Sequence, residues 1–287
     1  MISLRWLAAI LIAVSLLAGT LSDSVHRNPP LMLGGYRVLA ADFHVHSFPF
    51  SSATLAPWDT VLEAQRHGLD VIAITGHNHV WAAKVGTWFS HLVGGPTIVV
   101  GEEIVTPAYH LLAIGINHSV DWDEPAAAAI DEIHRQGGVA IAAHPGFKYW
   151  AGFDANAMSR LDGSEVLHPA AYVVPPVYAQ FQRFYARKQL TAIGDSDFHG
   201  LGPMGICRTF VFARGDSPAA IIDALRDGQT VVVDRNGRHY GDPDLVRLAS
   251  QDPHFTELLS PEPPPGFLVM LSRLTGLAGL FILVLFA

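Results

Sequence analysis

The five residues Asp42-Phe43-His44-Val45-His46 (DFHVH) decide how this chain reads. They end an apolar-rich run, YRVLAAD (36–42), with the composition of a strand. Residues i and i+2 of an extended backbone point to the same face, so His44 and His46 aim two imidazoles at one point, as a metal ion requires. Taken alone, the pair reads equally well as two surface or core histidines. The neighbouring runs change that balance. DVIAIT (70–75) is followed by His77 and His79, and PTIVV (96–100) by Glu102 and Glu103. His110 opens HLLAIGI (110–116), and GVAIAA (138–143) is followed by His144. QLTAI (189–193) leads into GDSDFHG (194–200), with Asp195, Asp197 and His199. In parallel α/β folds functional residues gather at the C-terminal ends of strands. Strand after strand here ends in a histidine or a carboxylate, which points to one convergent site.

The donors are imidazole and carboxylate without thiolate, a set that suits zinc, manganese or iron. They are too many for one tetrahedral ion. Two or three divalent ions bridged by a carboxylate and a hydroxide are the economical reading. Such clusters bring the pKa of bound water to about 7 and clamp attacking and leaving oxygens. The implied chemistry is hydrolysis of a small-molecule substrate, most naturally a phosphate ester, by a metal-bound hydroxide. The same nucleophile would attack a carbonyl, so carboxyl esters, carbamates and amides stay as alternatives. A further alternative is a non-catalytic, membrane-anchored metal-binding domain.

The chain has 287 residues, a net charge of −8, a mean hydropathy of +0.28 and one cysteine, Cys207. No intrachain disulfide is possible, and the acidic balance without a basic run argues against nucleic acid as a partner. Much of the hydropathy lies at the two ends. Residues 1–22 contain WLAAILIAVSLLA (6–18) after Arg5 and read as a signal peptide or a signal anchor, with an uncleaved anchor favoured. Residues 267–287, FLVMLSRLTGLAGLFILVLFA, are long enough for a transmembrane helix, since a span needs about 20 residues. Arg273 near the start of that stretch can snorkel to the interface. Arg5 favours a cytoplasmic N-terminus, which puts the soluble domain outside the cytoplasm, periplasmic or otherwise exported. Arg273 on the outer side runs against that topology.

Between the ends, residues 36–240 alternate short apolar strands with helical segments such as APWDTVLEAQRHG (56–68), DEPAAAAIDEIHRQGG (123–138) and SPAAIIDALRDGQ (217–229). Ser217 reads as an N-cap and Pro218 as the first helical residue. This alternation predicts an α/β fold with a mostly parallel sheet, open or closed into a barrel. Residues 241–266, ending PEPPPG, read as a stiff Pro-rich linker to the C-terminal helix.

In order along residues 40–235, DFHVHS, GLDVIAITGHN, GEEI with HLLAIGI, AHPG and GDSDFHG resemble the motifs of the PHP (polymerase and histidinol phosphatase) superfamily of metallohydrolases. DALRDGQTVV (223–232) is similar to the helix and strand that close that domain. DGSEVLHP (162–169) is similar to a stretch in the branch that includes carbaryl-hydrolase-like proteins. The resemblance implies a distorted (β/α)7-type barrel, here flanked by N- and C-terminal hydrophobic helices, with a metal cluster at its mouth. It implies that His44, His46, Glu103 and Asp197 hold a first ion. Glu103 then bridges to a second ion held by His110 and His144, and His77 and His199 reach a third. Glu103 rather than Glu102 fits the family's Gly-x-Glu pattern. His199 or Asp195 is the candidate proton donor to the leaving oxygen. Two departures bear on the third ion: the family's Thr-Asp-His is Thr75-Gly76-His77 here, and Ser51 and Ser52 stand where many members carry an aspartate.

Around this set, Asp42 is expected to orient a ligand histidine, and Asp195 to do the same or cap a turn. Glu165 ends a strand and is as readily a pocket residue as not. His79 reads as a loop residue. Lys148, His168 and Arg208 read as solvated surface groups, as do His67, His91, His134, His239 and His254. Cys207 reads as a small packing residue, and the tryptophans as core or membrane-facing groups.

Overall fold

The computed structural model describes residues 4–22, 31–49, 51–200, 202–255 and 266–286. Helix α1 (Leu4–Ser22) precedes strands β1 (Leu31–Leu33) and β2 (Tyr36–Val45). Helix α2 (Pro57–Arg66) leads to β3 (Val71–His77), and α3 (Trp81–Val93) to β4 (Thr97–Val105), which turns back into β5 (His110–Ile114). Then come α4 (Ala126–Arg135), β6 (Val139–Ala142), a 3-10 turn over Phe147–Gly152, α5 (Ala155–Arg160) and β7 (Gly163–Leu167). Helices α6 (Ala170–Val173) and α7 (Pro175–Tyr185) precede β8 (Thr191–Gly194). The chain ends through β9 (Thr209–Ala213), α8 (Pro218–Arg226), β10 (Thr230–Val233), β11 (His239–Gly241), α9 (Pro243–Ser250) and α10 (Phe267–Phe286).

The strands form one sheet in the order β11-β10-β9-β2-β3-β4-β5-β6-β7-β8, with β1 paired to β2. It curls into a nearly closed barrel. A parallel bridge between Val45 and Phe198 joins β2 to the segment beyond β8, with His46 N–H donating to the Phe198 carbonyl at 2.9 Å. The fold is the α/β barrel expected, but its sheet is mixed rather than mostly parallel. The pairs β2–β3, β3–β4, β6–β7 and β7–β8 are parallel, whereas β4–β5, β5–β6 and β2–β9 are antiparallel. The reason lies in TPAY (106–109), a connection too short for the crossover that a parallel partner needs. Because β5 runs backwards, its first residue, His110, lies at the same end as the last residues of β2, β3, β4, β6, β7 and β8.

Alternating side chains separate an inner core from an outer one. Leu39, Ala41 and Phe43 of β2 join Val71, Val99, Ile141 and Ile193 in the inner cluster, which Ile221, Ala224 and Leu225 of α8 also enter. Val38, Ala40 and Val45 join the outer cluster, with Val61 and Leu62 of α2 and Phe89 of α3. Inner Phe43 and outer Val45 belong to one parity, so the alternation breaks between them. A register shift between Asp42 and Val45 accounts for the break and re-aims the strand end. Helix α8 starts as read, with Ser217 accepting from the Ala220 N–H and Pro218 as its first residue.

One stretch differs from its reading. The expected linker begins with helix α9, because PDLVRLAS is amphipathic and Asp242 caps it, accepting from the Asp244 and Leu245 N–H groups. Leu245, Ala249 and Phe255 then bury into the outer core. Residues 256–265 of that linker lie outside the described residues. The terminal helices α1 and α10 pack against each other and lean on α2. Trp58 Nε1 donates to Ser15 Oγ at 2.7 Å, Ser15 donates to the Ser272 carbonyl at 2.8 Å, and Ser272 donates to Asp59. Arg273 pairs with Glu63. Small residues permit the approach: a Cβ on Gly276 would meet Ser15 Oγ at 2.5 Å and one on Gly279 would meet Ile12 Cγ1 at 2.8 Å.

Burial lifts the Asp59 carboxyl to about 6, against the Ser272 hydrogen bond and the charges of Arg66 and Arg273. A carboxyl raised on docking favours the docked state most when protonated, and that contribution is lost as pH rises through about 6. Amide exchange in α10, corrected for intrinsic rates, is therefore slower at pH 5 than at pH 8. A second prediction concerns Gly194, which ends β8 just ahead of Asp195. A Cβ there would lie 2.1 Å from the Cys207 carbonyl oxygen. Overpacking of this kind costs about 1–3 kcal/mol, so Gly194→Ala lowers Tm in a melting experiment.

Candidate metal centre

The register shift in β2 gives the inward side to His44 and His46, whose ring centroids lie 4.9 Å apart. Their Nε2 atoms meet one carboxylate oxygen, Asp197 Oδ1, at 3.2 and 3.0 Å. On β4, Glu103 stands beside His77 of β3 in parallel register. Its two oxygens divide the imidazoles between them. Oε2 lies 3.4 Å from His44 Nε2, 3.5 Å from His46 Nε2 and 3.3 Å from His77 Nε2. Oε1 lies 2.8 Å from His110 Nδ1 and 3.2 Å from His144 Nε2. His199 Nδ1 is 3.5 Å from Asp197 Oδ1, and the His199 ring stacks on His46 with centroids 4.1 Å apart. The structure thus brings together His44, His46, His77, Glu103, His110, His144, Asp197 and His199. Three groups among them converge closely enough to hold an ion: His46 with His77 and His199, His44 with Glu103 and His144, and His44 with His46 and Asp197.

The donor set fits divalent cations. His44 Nε2 and His46 Nε2 are buried without a hydrogen-bond partner, which is costly for a polar atom unless something else satisfies it. Burial dominates at His46 and lowers it to about 4, so the ring is neutral and its lone pair available. At His44 burial acts the same way, but Asp197, Glu103 and Glu165 outweigh it and hold it well above its usual value. Glu103 is held well below the carboxylate range despite burial, by His44, His110 and His144. Asp197 is likewise lowered, against burial, by His44, His168 and His46.

Several supporting groups differ from their reading. The brace of His44 is Glu165, not Asp42: Glu165 Oε1 lies 2.7 Å from His44 Nδ1, and Oε2 accepts the His144 N–H at 2.7 Å. Asp42 instead ties backbone, accepting from the His44, Ser196 and Gly205 N–H groups. Asp195 is fully buried and accepts the Phe43 N–H at 2.7 Å. Burial, then the neighbouring Asp42 charge, pushes it well above the carboxylate range. Sealed from solvent, it cannot reach a leaving group, so its reading as a proton donor is corrected to that of a buried brace. His168, read as surface, is buried: its Nδ1 accepts the Ala170 N–H at 3.1 Å, leaving Nε2–H to donate to Asp197 Oδ2 at 3.3 Å. Ser51 Oγ accepts the His77 N–H at 3.2 Å and lies 3.1 Å from His46 Nδ1, bracing two histidines where the family pattern has an aspartate. Glu102 turns away and accepts the Val120 N–H at 2.6 Å. His79 stays in the loop, accepting the Trp81 N–H. His144 and Asp197 sit at φ of 25° and 47°, a left-handed strain that collects at functional sites.

Residues 179–230 match the family model described as PHP-associated. A solved two-domain protein from Bacteroides vulgatus, described as containing a predicted PHP-like metal-dependent phosphoesterase, superposes with a TM-score of 0.62 at 26% identity, over 82% of this chain and 74% of that one. The chain belongs to the PHP superfamily. Two further proteins are similar over smaller shares of the chain. A putative metal-dependent phosphoesterase from Bifidobacterium adolescentis aligns over 69% of this chain and 98% of its own, with 21% identity and a TM-score of 0.47. An uncharacterized protein of Methanocaldococcus jannaschii is 28% identical over 117 residues, 37% of this chain and 68% of its own.

The shared brace of two imidazole-bearing segments makes Glu165 testable within this PHP site. Loss of a partner that orients a metal-binding histidine costs about 10–100-fold in metal affinity. Glu165→Ala therefore weakens manganese binding by that order in a chelator competition, and Glu165→Gln, which keeps one acceptor, weakens it less.

Proposed function

We propose that this protein is a metal-dependent phosphoesterase held at a membrane by its terminal helices. The observation that carries the reading is the Glu103 carboxylate, whose two oxygens face two different sets of imidazoles. A bridging carboxylate between two cations needs that division. In this reading His44, His46, Asp197 and Glu103 hold one ion, Glu103, His110 and His144 a second, and His77 and His199 reach a third. Divalent zinc, manganese or iron supplies Lewis acidity and activates water. The protein's own groups do the rest. Glu165 fixes the ring plane of His44, and His168 fixes Asp197. With two ions bound and no third, His199, partly exposed at the mouth, donates a proton to the leaving oxygen. Residues 36–240 form the catalytic domain.

Among the described residues one helix, Phe267–Phe286, is long and apolar enough to cross a membrane, with a hydropathy of 2.2. Only 28% of its apolar window is buried, unlike the core helix of a soluble domain. That exposure supports membrane attachment through α10, with α1 beside it.

The test is elemental analysis of the full chain together with hydrolysis of p-nitrophenyl phosphate and bis(p-nitrophenyl) phosphate with added manganese or zinc. The reading expects two or more ions per chain and turnover of one ester. Glu103→Ala should lose both, because the shared oxygen pair is gone, and chelator treatment should abolish turnover and lower Tm. Bound metal with hydrolysis only of carboxyl esters or carbamates contradicts the phosphoesterase assignment. A folded chain without metal contradicts the whole reading.

A further inference from the structure

Helix α2 begins just after the mouth end of β2 and runs back along the barrel, so Trp58 and Asp59 are nearer the mouth than Leu62 and Glu63. Ser15 of α1 meets Trp58 and Asp59, whereas Gly19 faces Leu62. Helix α1 therefore runs in the same sense as α2. Helix α10 runs the opposite way, with Gly276 against Ser15, Asp59 and Trp58, and Gly279 against Ile12 and Ala8. The segment of α1 before Ser15 and that of α10 after Gly276 thus extend past the start of α2, on the side of the barrel that holds the metal centre. Each segment is about ten residues, or about 15 Å at 1.5 Å per residue, close to one leaflet of a hydrocarbon core about 30 Å thick. These ends are apolar and exposed, with Trp6 at 69%, Val284 at 56% and Phe286 at 59%. The outer side of the pair is apolar nearer its base as well, at Leu17 and Leu274. Below the exposed ends the pair carries its charge against α2, where Arg273 pairs with the buried Glu63.

A second observation is independent of the helices. Large apolar side chains stand exposed on the segments that follow β3, β6 and β7 at the mouth: Trp81, Phe147, Val173 and Val174. Such a ring around a site marks an interaction surface. Its charge is suited to anions, although the whole chain carries −8. Lys148 and Arg235 lie exposed on the same rim, 4.5 Å over the rings of Tyr149 and Tyr172. The rim carboxylates Asp154 and Asp234 are engaged by backbone N–H groups of Ala157 and of Asn236 and Arg238. An apolar ring with cationic groups fits the boundary between acyl chains and anionic headgroups.

We propose that the barrel mouth faces a lipid bilayer, and that the substrate is a phosphate ester in the headgroup of an anionic membrane lipid. This rests on the phosphoesterase and membrane-attachment readings above and adds to them an orientation and a substrate class. The soluble end of such a lipid reaches the metal centre while its acyl chains stay among the rim residues and the helix ends. Hydrolysis would add water across the P–O ester bond, the alcohol oxygen leaving with a proton and the phosphate keeping the new oxygen.

The experiment uses the full chain in vesicles of phosphatidylcholine with phosphatidic acid or phosphatidylglycerol. Bimane is attached at Phe147→Cys on the rim or at Leu92→Cys, an exposed position in the last turn of α3 at the opposite end of the barrel; Cys207 is buried and stays unlabelled. Brominated lipid should quench the Phe147→Cys label several-fold more than the Leu92→Cys label. Equal or reversed quenching overturns the orientation, whatever the activity. In the same vesicles, phosphate release or headgroup cleavage should exceed turnover of the soluble nitrophenyl esters, and Lys148→Glu should raise KM for lipid while leaving KM for the soluble esters unchanged. Hydrolysis of the soluble esters without that of either lipid overturns the substrate proposal and leaves the phosphoesterase reading standing. Hydrolysis of neither sinks both.

Discussion

The carboxylate of Glu103 is the constraint on which the site depends. A buried carboxylate is expensive unless its charge is answered, and this one is answered by imidazoles from β2, β3, β5 and the loop after β6. Its position is fixed twice by the sheet, through parallel register with His77 on β3 and antiparallel register with Leu112 on β5. The change of strand direction at β5 matters for that reason. It delivers His110 to the mouth from the start of a strand while its neighbours deliver ligands from their ends.

Around Glu103 the chain holds strained and braced positions that make no sense for packing alone. The β2 register shift turns His44 and His46 inward where unbroken alternation with Val38 and Ala40 would have turned both outward. His144 and Asp197 occupy left-handed backbone that their side chains disfavour. Glu165 and His168 hold the partners in place from the buried side. Asp195 and Asp42, both raised by burial, tie the segment after β8 to β2 beneath them. The negative character of this region, concentrated on Glu103, Glu165 and Asp197, is what a cluster of divalent cations would balance.

The sequence made the α/β barrel and the clustering of eight donors legible, because both rest on local pattern: apolar runs of strand length, helix signals such as Ser217-Pro218, and chemistry placed at strand ends. It did not reveal relations that exist only once distant segments meet. Glu165 looked like any strand carboxylate until β7 was placed near β2, 121 residues away in sequence from His44. His168 looked like a surface histidine because its partner, Asp197, comes from the next strand's loop. Ser51 looked like a missing aspartate, while its hydroxyl in fact spans His46 and His77. The direction of β5 turned on a four-residue connection, and α9 was hidden by the proline content of the segment around it.

The central claim is that one carboxylate serves two cations. Anomalous diffraction from crystals of the full chain soaked in manganese tests it most directly. The account predicts two strong peaks flanking Glu103, one on the side of His44, His46 and Asp197, the other on the side of His110 and His144. A single peak away from Glu103, or none at saturating manganese, would contradict it.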